Sequence, residues 1–430
     1  MLYSSSKHSG PISNDSRVHR DNSLPVDVAG RMEVIRELCS FEGRLAGTDA
    51  ERRAANWLAK RLRDSGRRVD VEPTYVHPQS GLVHAGHCAL GFAGSLAAIA
   101  QPVVGFAVVL ATALSVYLDV NARFYLLRRL FFRRASQNVV SPGKNPNAPA
   151  RVLICAHYDA ARTGAIFDPK RVARGARLAR RLPVPLGPYR VLFWSLAVLL
   201  PILGARMAGV DSTLISLLQL PPTLTLLVGV FVLVDIELSD VVPGANDNAS
   251  GVATALALVD ELDTDPPENV DVWALFTGGE ECLSEGMRAF VRSRRKVFER
   301  ESTYFVVLDS VGDGAVRYEI GEGPAVSYEM DPRLVQLCEA IASADRENDN
   351  RFRAEPLRNG FATDALPPRL AKFRATAITC LADGALVPAN YHRPDDAPSR
   401  IDERALDRAH GFALELIRAI DRDVGRRTGR

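Results

Sequence analysis

The chain has 430 residues, 47% of them hydrophobic and 24% charged, with a formal net charge of +2. This length suits one large α/β domain with additions, and the near-neutral charge provides no global field for nucleic acid, which is excluded as a partner. The six cysteines show no CxxC spacing; they read as small apolar residues with reduced thiols, not as a disulfide framework or zinc knuckle.

Residues 1–30 are polar and lack the apolar core of a secretion signal, so they read as a disordered tail before a domain of residues 31–430. Residues 46–63 form an amphipathic helix with Thr48 as its N-cap. Residues 88–118, CALGFAGSLAAIAQPVVGFAVVLATALSVYL, hold no charge and carry Gln101-Pro102 near the middle. A membrane helix needs about 20 apolar residues, so this stretch makes two spans only by drafting in residues 81–87 or by hinging at Pro102. The expected insertion covers about 82–120. A second insertion, about 190–235, splits into VLFWSLAVLLPILGARMAGV and TLISLLQLPPTLTLLVGVFVLV, with Arg206 in the first half and Asp211 between them. Length and absent amphipathic period favour membrane hairpins over buried core helices.

Basic clusters flank both stretches. Arg123, Arg128, Arg129, Arg133 and Arg134 follow the first; Lys170, Arg171, Arg174, Arg177, Arg180, Arg181 and Arg190 precede the second. By the positive-inside rule they mark the cytoplasmic side, and they suit anionic lipid headgroups.

The remainder alternates. Residues 151–156, 270–276, 304–308 and 376–381 are short apolar strands. Residues 250–262 form a helix with Val252, Ala255, Leu256, Val259 and Leu262 on its apolar face, and 283–298, 332–344 and 404–420 read as further helices. Strands alternating with helices imply a mostly parallel sheet covered on both faces, a three-layer α/β/α architecture.

Polar residues follow each strand. RVLICA leads into His157-Tyr158-Asp159, the loop Gly244-Ala245-Asn246-Asp247-Asn248 opens a helix, DVWALF leads into Gly279-Glu280-Glu281, TYFVVL ends at Asp309, and His392 comes after the last strand. A parallel sheet gathers such residues at the carboxyl ends of its strands. Two histidines and three carboxylates are zinc ligands by type. Five exceed the needs of one ion with an open position and suit two ions sharing a bridging carboxylate. Of the adjacent Glu280 and Glu281, one can bind metal while the other faces water as a general base. Asp159 is placed to accept the other ring N–H of His157.

These motifs resemble those of the co-catalytic zinc peptidases, peptidase family M28, similar to bacterial leucyl aminopeptidases, aminopeptidase Y and glutamate carboxypeptidase. The likeness rests on His157-Tyr158-Asp159, residues 244–251, Gly279-Glu280-Glu281, Asp309-Ser310-Val311-Gly312 and Tyr391-His392-Arg393-Pro394-Asp395-Asp396. Residues 43–48 and 136–140 add to it. The resemblance implies a mixed sheet of about eight strands and two zinc ions per chain. It implies that Asp247 bridges both ions, that His157 and Asp309 complete one, that Glu281 and His392 complete the other, that Glu280 is the base and that Asp159 orients His157. Two departures stand out: Cys282-Leu283-Ser284-Glu285-Gly286 replaces the usual small residues after the Glu pair, and the gap from His157 to Asp247 is long.

Both apolar stretches interrupt one domain, so each must cross a bilayer an even number of times. The expectation is a multi-pass membrane aminopeptidase acting on peptides, with its catalytic domain in the cytoplasm. The alternatives are a glutaminyl cyclase or dipeptide carboxypeptidase on the same fold, and a silent receptor or scaffold. Side-chain preference and oligomeric state are not legible.

Overall fold

The computed structural model describes residues 26–179 and 187–429. Nine strands form one sheet: β1 (Asp70–Val76), β2 (Arg134–Ser141), β3 (Ala150–His157), β4 (Val270–Thr277), β5 (Thr303–Leu308), β6 (Ala315–Glu322), β7 (Tyr328–Glu329), β8 (Glu355–Arg358) and β9 (Arg374–Leu381). Their order is β1-β2-β4-β3-β5-β9-β6-β7, with β8 also paired to β6. The centre, β4-β3-β5-β9, is parallel. Both flanks are antiparallel, through β1-β2-β4 and β9-β6-β7. The sheet is therefore mixed, with its main parallel part in the middle, where βα crossovers bring the chain back in the same direction, and one further parallel pair, β6-β8, at the flank.

Twelve helices complete the described fold: α1 (Val26–Ser40), α2 (Asp49–Asp64), α3 (Ser80–Ala100), α4 (Pro102–Val120), α5 (Pro169–Ala179), α6 (Pro188–Met207), α7 (Thr213–Leu238), α8 (Gly251–Thr264), α9 (Glu285–Arg294), α10 (Pro332–Glu347), α11 (Leu366–Leu370) and α12 (Glu403–Thr428). Alternation along β3 makes the layers. Val152, Ile154 and Ala156 face α1, α2, α8, α10 and α12, while Leu153 and Cys155 face α9 and α11.

Thr48 caps α2 as expected, accepting from the Glu51 N–H at 3.2 Å. The helix expected over 283–298 starts only at Glu285, because Leu283 and Ser284 hold positive φ values of 65° and 54°. Helix α1 takes in residues 26–30, where a tail was expected; residues 1–25, which carry the rest of that expectation, lie outside the described residues, as do Arg180 and Arg181.

The first apolar stretch does draft in the preceding residues. Two helices, α3 and α4, break at Gln101-Pro102, where Pro102 occupies the first turn of α4. With α6 and α7 they make four helices long and apolar enough to cross a membrane. They pack on one another through Val109, Val116, Leu196, Leu199, Leu203 and Leu226, with glycines at the tightest approaches: a Cβ on Gly105 would lie 2.5 Å from the Ala98 backbone. Their outer faces expose Val103, Leu214, Leu217 and Phe231, each more than half accessible, apolar surface that water does not favour.

Two arginines of the basic flanks do not face outward. Arg128 and Arg190 are buried because the domain supplies polar partners. Arg190 donates to the Gly323 carbonyl. Arg128 donates to both Asp119 oxygens at 3.0 and 3.1 Å and to the Cys282 carbonyl at 3.1 Å.

Candidate metal centre

His157 ends β3, Glu280 and Glu281 follow β4, and Asp309 follows β5. Because these strands are parallel, their carboxyl ends share one edge of the sheet. Asp247 reaches that edge from the turn opening α8, and His392 from the loop between β9 and α12.

The five expected ligands converge. His157 Nε2 lies 3.3 Å from Asp247 Oδ1 and 3.9 Å from Asp309 Oδ1. His392 Nε2 lies 3.3 Å from Asp247 Oδ2 and 3.5 Å from Glu281 Oε2. Asp247 thus turns one oxygen to each histidine, as a carboxylate between two cations would. Side-chain atoms of His157, Asp247 and Asp309 gather within 4.8 Å of one another; so do those of Asp247, Glu281 and His392, and those of His157, Glu280 and Glu281.

The electrostatics call for cations. Burial pushes Glu281 well above the usual carboxylate range, and the charges of Asp247 and Glu280 push it further. Burial likewise raises Glu280, and it raises Asp309 to about 6. Burial alone would depress His157, but its contacts with Asp159 and Asp247 outweigh that and hold the imidazole well above its ordinary value. Glu281 Oε1 is buried with no hydrogen-bond partner. Surplus buried negative charge, an orphaned carboxylate oxygen and two imidazoles are a donor set that divalent zinc fits.

Neighbouring motif residues fix this geometry. Asn246 Oδ1 accepts from the Gly312 N–H at 2.7 Å, while its Nδ2 donates to the Ala389 carbonyl at 3.1 Å. One side chain therefore ties the Asp309 loop to the His392 loop. Asn248 donates to the Leu308 carbonyl at 2.9 Å and accepts from the Ser310 N–H at 3.0 Å. Asp396 accepts the N–H groups of Asn246 and Asp247 at 2.9 and 3.1 Å. Arg44, 1% exposed, donates to the carbonyls of Leu38, Tyr158, Pro243 and Gly244, stapling the two loops that carry His157 and Asp247. Gly279 needs its glycine: φ is +69°, and a Cβ would lie 2.5 Å from Val76 Cγ1.

Asp159 lies beside His157, whose Nδ1 is 3.3 Å from the Asp159 backbone carbonyl, and it has a further task. Its Oδ1 is 3.5 Å from His157 Nδ1. Its two oxygens accept the backbone N–H groups of Glu280 and Glu281 at 3.0 and 3.1 Å. It holds the Glu-Glu elbow as well as facing the histidine.

Sequence reasoning missed Asp364 and Phe167. Asp364 is fully buried, accepts from the Thr277 hydroxyl, and is raised by burial to about 6. It follows no strand, so strand-end logic had no signal for it. Phe167 lies in a short turn whose Ala165 N–H donates to Asp235 of α7 at 2.6 Å. Its ring sits 4.7 Å from that of His392, which stacks on Tyr391 at 3.9 Å. A narrow cavity of about 50 Å³ opens beside Asp309 and Tyr391, walled by Leu357, Phe361 and Leu386.

Residues 229–417 match the sequence model of peptidase family M28. That span contains Asp247, Glu280, Glu281, Asp309 and His392. Three solved structures share the fold. A leucine aminopeptidase precursor from Bacteroides thetaiotaomicron is 15% identical with a TM-score of 0.50, covering 92% of this chain and 98% of its own. The zinc aminopeptidase BSAP from Bacillus subtilis is 13% identical at 0.52, covering 92% and 95%. A glutaminyl cyclase from Bacteroides thetaiotaomicron is 14% identical at 0.52, covering 92% and 99%. No curated protein matches the chain.

Proposed function

We propose that this chain, a member of peptidase family M28 by the match over residues 229–417, is a membrane-anchored aminopeptidase that uses two zinc ions. The observation that carries the reading is the complete five-ligand cluster around Asp247 with an additional carboxylate, Glu280, beside it. His157 and Asp309 would hold one ion, Glu281 and His392 the other, and Asp247 would be shared. Zinc bound there supplies Lewis acidity, polarising a carbonyl oxygen and lowering the pKa of water.

The chain's own residues do the rest. Glu280, with Ser284 donating to its Oε1 at 3.2 Å, takes a proton from the attacking water and returns it to the departing amine. Asp159 keeps Glu280 and Glu281 on opposite tasks by holding both backbone N–H groups. Phe167 and Tyr391 flank His392 and exclude water from that side. The cavity beside Asp309 receives the side chain of the substrate's first residue.

The fold shared with a glutaminyl cyclase favours cyclisation as the second reading. Metal stoichiometry and substrate class separate the readings. Purified protein assayed on aminoacyl reporters, acidic dipeptides and glutaminyl peptides should cleave the aminoacyl reporters and contain two zinc ions per chain. One ion with cyclisation would favour the cyclase; metal-free protein without activity would favour a scaffold.

The two helical pairs are read as membrane hairpins. Both leave and re-enter the same domain, so that domain lies on one side, and the arginine-rich flanks favour the cytoplasm. A C-terminal reporter should be active only in the cytoplasm. Reporter activity outside the cell would reverse the orientation.

A further inference from the structure

The loop after α4, residues 121–130, meets α9 and α11 around a cavity of about 310 Å³. Five arginines line it, Arg123, Arg129, Arg288, Arg292 and Arg295, and no carboxylate does. Among the described residues none of the five has a carboxylate oxygen within 4.0 Å. The nearby acid, Glu285, is already held by His77 and lies 3.9 Å from Arg128. Arg129 stacks on Phe124 at 4.1 Å, and Arg288 stacks on Tyr125 at 4.1 Å. Arg288 is the deepest of the five, and its Nη1 is buried with no hydrogen-bond partner.

Five like charges around one hollow repel, and a desolvated guanidinium without an acceptor is costly. A phosphate resolves both problems through charge-assisted, bidentate hydrogen bonds. The position identifies which phosphate. The cavity begins directly after Val120, the last residue of α4, so on the hairpin reading it lies at headgroup depth. Leu130 and Phe132, which follow Arg129 closely in the chain, are 82% and 78% exposed, as apolar residues are where they enter a lipid interface.

We propose that this cavity binds the phosphate of an anionic phospholipid headgroup. The proposal rests on the membrane reading above, so the test separates the two. Full-length protein in detergent is titrated with phosphatidylglycerol or phosphatidylcholine, and retained lipid is measured by native mass spectrometry. Wild type should retain phosphatidylglycerol preferentially, and R292Q/R295Q should retain about tenfold less. Both residues are exposed, in the last turn of α9 and at its C-cap, so the variant should fold. R422Q/R426Q, exposed on α12 on the other face of the sheet from α9 and outside both basic flanks, should behave as wild type. Equal loss in that control would reduce the effect to overall charge and overturn the proposal, as would unchanged retention in R292Q/R295Q. Displacement of the lipid by millimolar inorganic phosphate would assign the cavity to a soluble phosphate and overturn the lipid source. Vesicle flotation is read in parallel. Protein that floats without lipid preference rejects the cavity alone; protein that does not float rejects the membrane anchor.

Discussion

Glu280→Gln is expected to lower kcat by about 10²–10⁴-fold, the range a positioned general base contributes, with zinc content unchanged. Gln keeps the size of the side chain and can still receive the Ser284 hydroxyl, which lies 3.2 Å from Oε1. It cannot take a proton. The effect should therefore fall on kcat rather than KM. Metal analysis beside the kinetics is essential, because atoms of Glu280 also gather with those of His157 and Glu281. Loss of one ion in the variant would make Glu280 a ligand, and unchanged turnover with both ions bound would remove it from the chemistry.

Arg128→Met should be the most destabilising substitution outside the metal cluster. Arg128 is fully buried and pairs with Asp119 at 3.0 Å. Removing one partner of such a pair costs about 3–5 kcal/mol, because the other charge is left buried and alone. The same guanidinium donates to the carbonyl of Cys282, the residue after Glu281. It thus links the α3–α4 hairpin to the elbow carrying Glu281. Surviving protein should bind zinc about 10–100-fold more weakly, as when the outer support of a ligand is lost. Denaturation in detergent and zinc titration measure the two effects. The double variant Arg128→Met, Asp119→Leu should recover much of the stability, since no charge is then orphaned, but not the zinc affinity, since the Cys282 carbonyl still lacks its donor. Recovery of both would mean that Arg128 acts only through the pair.

The chemistry was legible because it follows strand ends. A short apolar run followed by His157, by Glu280-Glu281 or by Asp309 identifies both a buried strand and the edge its last residue reaches. Period and composition also found the four apolar helices, and the Gln101-Pro102 break between two of them, since proline cannot continue a helix that precedes it. The flanking strands were harder. β1 has a largely exposed burial pattern, and β7 is two residues long, so neither carries the apolar run that marks β3 or β5. Their antiparallel pairing is what makes the sheet mixed.

Residue type and spacing by themselves located the residues that gather at the sheet edge, the apolar insertions and the alternation that builds three layers. All three are local properties, written within a turn or a strand. Tertiary structure alone decided what supports them. Asp159 spends its oxygens on the Glu280 and Glu281 backbone, Asn246 bridges two loops, and Arg44 staples carbonyls from residues as far away as Gly244. The arginine flank looked uniform in sequence, yet Arg128 lies buried against Asp119 while Arg129 lines an exposed cavity with three arginines from α9 and its end. A guanidinium's role depends on which acceptors the fold brings within about 3 Å, and for Arg128 those acceptors include one that lies 154 positions further along the chain.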